Sequence, residues 1–159
     1  MTRVSDMTKY DLIAWAIACE GCITLTRQSR DRKSYALHPK ITFHNTNEGL
    51  GLLFQELVGD GKIHSQRDYS PKHKDRWIWQ LSGYKEIKMF LEDIIDYLPI
   101  KEEQARIVLE FCSRRLNIKK KGINFKLGQT TWSEKDEEDR LRINKLNKRG
   151  KQEVSLLVV

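Results

Sequence analysis

From Leu12 to Cys19 the chain reads Leu-Ile-Ala-Trp-Ala-Ile-Ala-Cys, an almost unbroken apolar run that stops at Glu20-Gly21. Thr8 is placed to cap a helix start, Asp11 three residues later completes a box with it, and Gly21 predicts a left-handed stop. Glu20 then falls in the last turn. That is the unfavourable end of the helix dipole for a carboxylate, and the preceding residues predict burial on most sides. Two readings are open: a bound divalent cation offsets the penalty, or the helix end frays and Glu20 stands in water. Ala14 and Ala18, one turn apart, let another backbone approach closely. If that backbone is the same helix of a second copy, two-fold symmetry brings two Glu20 carboxylates together; the alternative is an ordinary buried helix.

Beyond Gly21 the period changes from helix to strand. From Cys22, Ile23 and Leu25 share one face while Thr24, Thr26, Gln28 and Arg30 share the other. A charged turn at Asp31 to Ser34, with Arg32 and Lys33, leads to a second strand with Leu37, Pro39, Ile41 and Phe43 inward and His38, Lys40, Thr42 and His44 outward. Residues 46–58 place Leu50, Leu53, Phe54, Leu57 and Val58 at helical spacing, ended by Gly59-Asp60-Gly61. Two more strands follow. Ile63 faces in with Lys62, His64 and Gln66 out; after a polar loop, Trp77, Trp79 and Leu81 face in with Arg76, Ile78 and Gln80 out.

A helix over Tyr84 to Asp96 buries Ile87, Phe90, Leu91, Ile94 and Ile95, and Pro99 closes it. Lys101 precedes another helix carrying Ile107, Val108, Leu109 and Phe111, then Arg114 and Arg115. The basic stretch Asn117 to Lys126 is too polar to assign. Trp132 and Ser133 introduce a charged helix over Glu134 to Lys148, with Leu141, Ile143 and Leu146 apolar and Gly150 as its stop. The tail, residues 151–159, is read as an edge strand or loose chain. The expected fold is therefore α+β: an αββαββα core with an antiparallel saddle-shaped sheet, plus a C-terminal helical extension over about 117–150, in one domain spanning residues 1–159.

The outward strand faces are rich in Arg, Lys, Gln, Thr and His. In a major groove Arg and Lys read guanine, Gln reads adenine and Thr meets the thymine methyl; a solvated polar face is the plainer alternative. A formal charge of +7 favours a polyanionic partner, nucleic acid ahead of a membrane surface. No apolar stretch reaches the ~20 residues needed to cross a bilayer, and the start of the chain lacks a signal-peptide pattern. Three cysteines suit a reducing compartment. The expected location is thus the cytoplasm of a prokaryote or an organelle matrix or stroma.

Cys19, Cys22, His38 and His44 formally match a zinc spacing, but two histidines six residues apart on a strand are separated by ~20 Å and cannot share one ion. No Ser-His-Asp spacing, P-loop or G-x-G-x-x-G is present. One carboxylate stands out. Metal-assisted phosphodiester hydrolysis needs acids that hold the ion on the scissile phosphate, and one per subunit suffices if a dimer gathers two.

Ile13-Ala-Trp-Ala-Ile-Ala-Cys-Glu-Gly21 resembles the nine-residue signature of the LAGLIDADG homing endonucleases, with the turn into a strand at Cys22-Ile23 following it. The resemblance extends to the αββαββα order, to Leu98-Pro-Ile-Lys101-Glu-Glu-Gln104-Ala105 before a helix, and to Leu146-Asn-Lys-Arg-Gly150. Trp15 stands where the family usually has Gly, Ala18 where it often has an acid, and Leu50-Gly51 where a basic residue is usual. A single motif resembles the homodimeric branch. The resemblance implies a dimer interface through Ile13, Ala14, Ala16, Ile17 and Ala18, Mg²⁺ or Mn²⁺ held by Glu20 and Gly21, and cleavage of both strands of a long pseudo-palindromic DNA target. It further implies that Asn47 orders water near the scissile phosphate and that Lys101 stabilises charge or polarises water there. Without it, Asn47 reads as a helix-start residue beside a Thr46 or Asn45 cap, and Lys101 as a surface partner of Glu102 and Glu103. The alternatives are a DNA-binding protein or intron-RNA splicing maturase of the same fold that does not cut. A basic structural RNA-binding protein leaves Glu20 unexplained.

Overall fold

In the computed structural model, residues 6–29, 35–67, 70, 73–120 and 133–148 are described. Helix α1 spans Lys9–Glu20 and opens on a capping box, the Thr8 side chain accepting from the Asp11 amide and the Asp11 carboxylate accepting from the Thr8 amide at 2.8 Å. The Thr8 hydroxyl and amide hold the Asp11 carboxyl below its ordinary range. The helix ends otherwise than its sequence predicts. Gly21 has φ −93 and ψ 165, extended rather than left-handed, and is the first residue of strand β1, Gly21–Ser29. A Cβ at Gly21 meets the Cα and carbonyl oxygen of Ile17 at 2.7 Å, so glycine is required for close approach.

Strand β2 (Tyr35–Asn45) pairs with β1 and with β4 (Arg76–Ser82), and β4 pairs with β3 (Lys62–Gln66), giving an antiparallel sheet of order β1-β2-β4-β3. Helix α2 is Glu48–Val58, α3 is Tyr84–Ile94 followed by a 3-10 turn Ile95–Tyr97, α4 is Glu102–Lys120 and α5 is Glu134–Leu146. The α+β expectation and its element order are thus met. The α3 segment is shorter than its apolar pattern, α4 runs on into the basic stretch at 117, and α5 stops at Leu146. Arg30, Arg32, Lys33, the side chain of Gln28, the segment 121–132 and the tail lie outside the described residues.

The inward strand residues fulfil their pattern: Ile23, Leu25, Leu37, Ile41, Phe43, Trp79 and Leu81 are buried in one core with the helices. Aromatic contacts run across it, Phe43 stacking on Phe54 at 4.5 Å, Phe54 edge-on to Trp79 at 4.8 Å, and Trp79 against Phe90 at 5.8 Å. The Trp79 indole donates to the Asp60 carbonyl at 2.9 Å, and its ring crowds Gly61, where a Cβ falls 2.3 Å from Nε1. Helix α2 meets this core through Gly51 and Phe54, so Leu50 and Leu53, expected inward, are exposed together with Leu52. Its N-cap is Asn47 itself, accepting from the Leu50 amide, rather than Thr46 or Asn45.

The same packing corrects the expected dimer residues. Ile13, Ala14, Ile17 and Ala18 are buried within the chain itself, where α1 packs against β1, β2 and α3. Of that set only Ala16 is half-open, and the exposed strip of α1 is Leu12 (44%) and Trp15 (52%) followed by Cys19 and Glu20. Gly21→Ala is expected to cost about 1–3 kcal/mol of unfolding free energy, because the helix and strand must separate to admit the methyl; urea denaturation followed by circular dichroism measures it.

Candidate active site and nucleic-acid interface

Where α1 runs into β1 without a linker, the Gly21 amide still closes the helix on the Ile17 carbonyl, and the carbonyls after Ile17 have no amide partner within the helix. Lys101 adds a donor at this junction: its Nζ donates to the Ile17 carbonyl, as a second donor, at 2.9 Å and to the Gly21 carbonyl at 2.7 Å. It does so from a left-handed backbone, φ 67, among described residues the one non-glycine with positive φ. That conformation costs about 1–2 kcal/mol in a residue with a Cβ and persists because the two bonds and the entry into α4 hold it. Lys101 is therefore at the α1–β1 junction rather than a surface partner of Glu102 and Glu103.

Glu20 lies between those two carbonyls in sequence, exposed at the mouth of a cleft of ≈ 950 Å³. The expectation of burial around it fails, since its side of α1 is the open one. The cleft gathers the junction (Cys19 to Cys22), the end of β2 and the turn after it (His44, Asn45, Thr46), Arg76, Lys101, Gln104 and the end of α5 (Asn147, Lys148). Asn47 does not line the cleft, and its side chain caps α2. Gln104, Asn147 and Lys148 were given no role from sequence. Gln104 is buried and donates to the Asn147 side chain at 3.4 Å, and Asn147 donates to the Ile23 carbonyl at 2.9 Å.

The outer sheet face is arranged in cross-strand rows: Thr26 with His38, Thr24 with Lys40, Thr42 with Gln80 and Lys62, His44 with Ile78 and His64, and Arg76 with Gln66. Lys62, His64, Gln66 and Arg76 are exposed, whereas Thr24, Thr26, His38, Lys40, His44 and Gln80 are half-buried. Thr42 and Ile78, expected to reach outward to a partner, are buried, flanked by strands on both sides and covered within their rows. The Thr26 hydroxyl is used on the His38 carbonyl at 3.1 Å. His44 sits 3.0 Å from the Thr42 hydroxyl, and burial, then Arg76, Lys40 and His64, lower its pKa against the opposing pull of Glu20.

The Glu20 carboxylate is a hard oxygen donor of the kind Mg²⁺ and Mn²⁺ take, whereas the Gly21 carbonyl, the other ligand the resemblance implies, is taken by the Lys101 ammonium at 2.7 Å. Burial raises the pKa of Cys22, with Lys101 and Lys40 opposing, so this thiol is a poor ligand. Among the described residues no three His, Cys, Asp or Glu side chains cluster as a metal site within one chain. Nor is any described helix long and apolar enough to cross a membrane.

No family model and no curated protein matches the chain. Solved structures do. The homing endonuclease I-CvuI, in complex with its target in the presence of Ca, is 21% identical, the match covering 86% of this chain and 94% of that one at a TM-score of 0.61. The archaeal intron-encoded homing endonuclease I-Vdi141I, complexed with DNA, is 16% identical over 91% and 87% at a TM-score of 0.66. The LAGLIDADG homing endonuclease I-LtrWI, bound to target DNA, is 12% identical, and the match takes in 94% of this chain but 47% of that one at a TM-score of 0.61.

Replacing Lys101 separates its backbone from its amine. Lys101→Met keeps the left-handed strain and removes both ammonium bonds while the Ile17 carbonyl keeps the Gly21 amide, an expected loss of about 1–2 kcal/mol; Lys101→Gly loses the same bonds but relieves the strain and is expected to recover about 1 kcal/mol of it. Urea unfolding of both variants, monitored by tryptophan fluorescence, checks the order.

Proposed function

We propose that this chain, which has the fold of the LAGLIDADG homing endonucleases, acts as a homodimer that cuts both strands of a long pseudo-palindromic DNA site with Mg²⁺ or Mn²⁺. The observation that carries this reading is the course of the exposed strip on α1: Leu12 and Trp15, apolar and uncovered, lead along one helix face to Glu20. A second copy on that strip buries it and sets two Glu20 carboxylates side by side at the mouth of the cleft. The DNA-bound state of the neighbours I-CvuI, I-Vdi141I and I-LtrWI supports a DNA partner.

In this reading Glu20 would hold the divalent ion, which would lower the pKa of a bound water and stabilise the leaving oxygen. Lys101 fixes the carbonyls on either side of Glu20 and adds positive charge beside developing negative charge. The half-exposed and exposed residues of the outer face, from Thr24 to Gln66, meet the major groove, where they select sequence. A second reading is carried by Trp15. Its indole stands in the strip where two helices must meet closely, and holding them apart leaves a protein that binds DNA or intron RNA without cutting.

Incubation with a duplex spanning the gene's insertion site separates the two readings. Cutting in Mg²⁺ that EDTA abolishes and Glu20→Gln lowers by at least a hundredfold, with binding retained, supports the enzyme; tight binding with no cutting in either metal ion supports the second reading. Light scattering tests the assembly: the protein is expected to be dimeric at micromolar concentration and Trp15→Glu monomeric. A wild-type monomer would contradict the shared site.

A further inference from the structure

Many of the described cationic residues are committed to partners. On α4 and α5 arginines are matched to acids: Arg106 to Glu102, Arg114 to Asp136 and Asp139, Arg140 to Glu137, and Arg142 to Glu103. In the cleft, Lys101 is committed to two carbonyls. Arg76 and Lys148 differ from both. Each is exposed, each lines the cleft, and neither side chain joins an ion pair or hydrogen bond with any described residue.

Their positions are fixed by separate elements. Strand β2 ends at Asn45, paired with Trp77, so Arg76 stands one residue past the end of that pairing, beside the turn holding Thr46 and facing the cleft. Lys148 follows Asn147, whose side chain is held by the Ile23 carbonyl and Gln104, so the end of α5 is pinned over the start of β1. The cleft is thus lined by a guanidinium carried on β4, an ammonium just past α5 and the Glu20 carboxylate. Unpaired, exposed cations lining one cleft suit a phosphodiester, which a guanidinium grips in bidentate fashion and an ammonium meets as a point charge.

We infer that Arg76 and Lys148 form a phosphate clamp that seats one DNA strand's backbone in the cleft beside Glu20, so that Arg76 positions the strand and does not read a base. This rests on the DNA-binding reading above. Asn147 is a positioning residue, acting through Lys148.

The test uses binding rather than cutting. The affinity of the full chain for the insertion-site duplex is measured by fluorescence anisotropy in EDTA between 50 and 200 mM KCl, for wild type, Arg76→Gln, Arg76→Lys, Lys148→Gln and the double glutamine variant. Because each protomer of the dimer contributes one contact per residue, each glutamine variant is expected to lower the slope of log affinity against log salt by about two and the double variant by about four, each single contact accounting for about a threefold to fourfold loss over that interval. Arg76→Lys is expected to restore the wild-type slope, and Arg76→Gln to weaken binding evenly across duplexes carrying single base-pair changes near the centre. An unchanged slope, or a loss confined to one base pair, overturns the clamp, the latter making Arg76 a base reader. Cutting by wild type in Mg²⁺ is scored separately: a clamp signature without cutting retains the clamp and removes the nuclease, cutting with unchanged slopes does the reverse, and no binding by wild type removes both.

Discussion

The Lys101 ammonium, set against the carbonyls of Ile17 and Gly21, is the contact on which the cleft depends. A helix that passes straight into a strand leaves the negative end of its dipole facing the junction. One side chain from 80 residues away answers it, joining the Gly21 amide on the Ile17 carbonyl and bonding the Gly21 carbonyl, at the expense of its own backbone conformation. Because Glu20 lies between the two tethered carbonyls, the junction holds the backbone from which it projects. Gly21 is the other half of the arrangement, since any Cβ there forces the strand off the helix.

Much of the fold was legible because its elements follow simple periods. The alternation at Leu37 to Phe43 and the helical spacing at Ile87 to Ile94 each have one buried face and one solvated face, and the structure buries what they predict. The errors lie where a segment is apolar on more than one side. In α1, Ala14 and Ala18 read as a surface for another chain, but smallness serves equally well for packing on one's own sheet, and period alone does not choose. In α2, Leu50, Leu52 and Leu53 carry apolar residues around to the face that Gly51 and Phe54 leave open. Central strands mislead in the opposite sense: Thr42 and Ile78 lie on the outer face by register yet are covered by neighbours on both sides.

Of the residues lining the cleft, the sequence singled out Glu20 and Lys101 for catalysis and not those around them. Glu20 announces itself by ending an apolar run. Lys101 was named through the resemblance, whereas its local sequence, next to Glu102 and Glu103, points to an ordinary surface pair; only the tertiary fold reveals the carbonyls it reaches. Gln104 and Asn147 had no such signal of a partner, because their contact joins α4 to the residue after α5 across 43 positions. The end of α5 arrives there as part of a helix fastened to α4 by Arg114 and the buried carboxylates Asp136 and Asp139, a polar contact in which guanidinium donors replace lost hydration.

Strand β3 occupies the edge of the sheet and has β4 as its one neighbour. Its side chains Lys62, His64 and Gln66 are exposed, while Thr42 and Ile78 at the middle of the same face are locked in by strands on either side. Substitutions on this face are therefore not equivalent: those on β3 change the chemistry displayed to a partner with little repacking, whereas those at Thr42 or Ile78 alter two strand interfaces at once. Under mutation and selection the edge is the free parameter of the surface and the centre is its constraint, so divergence among chains of this kind should begin at the margin.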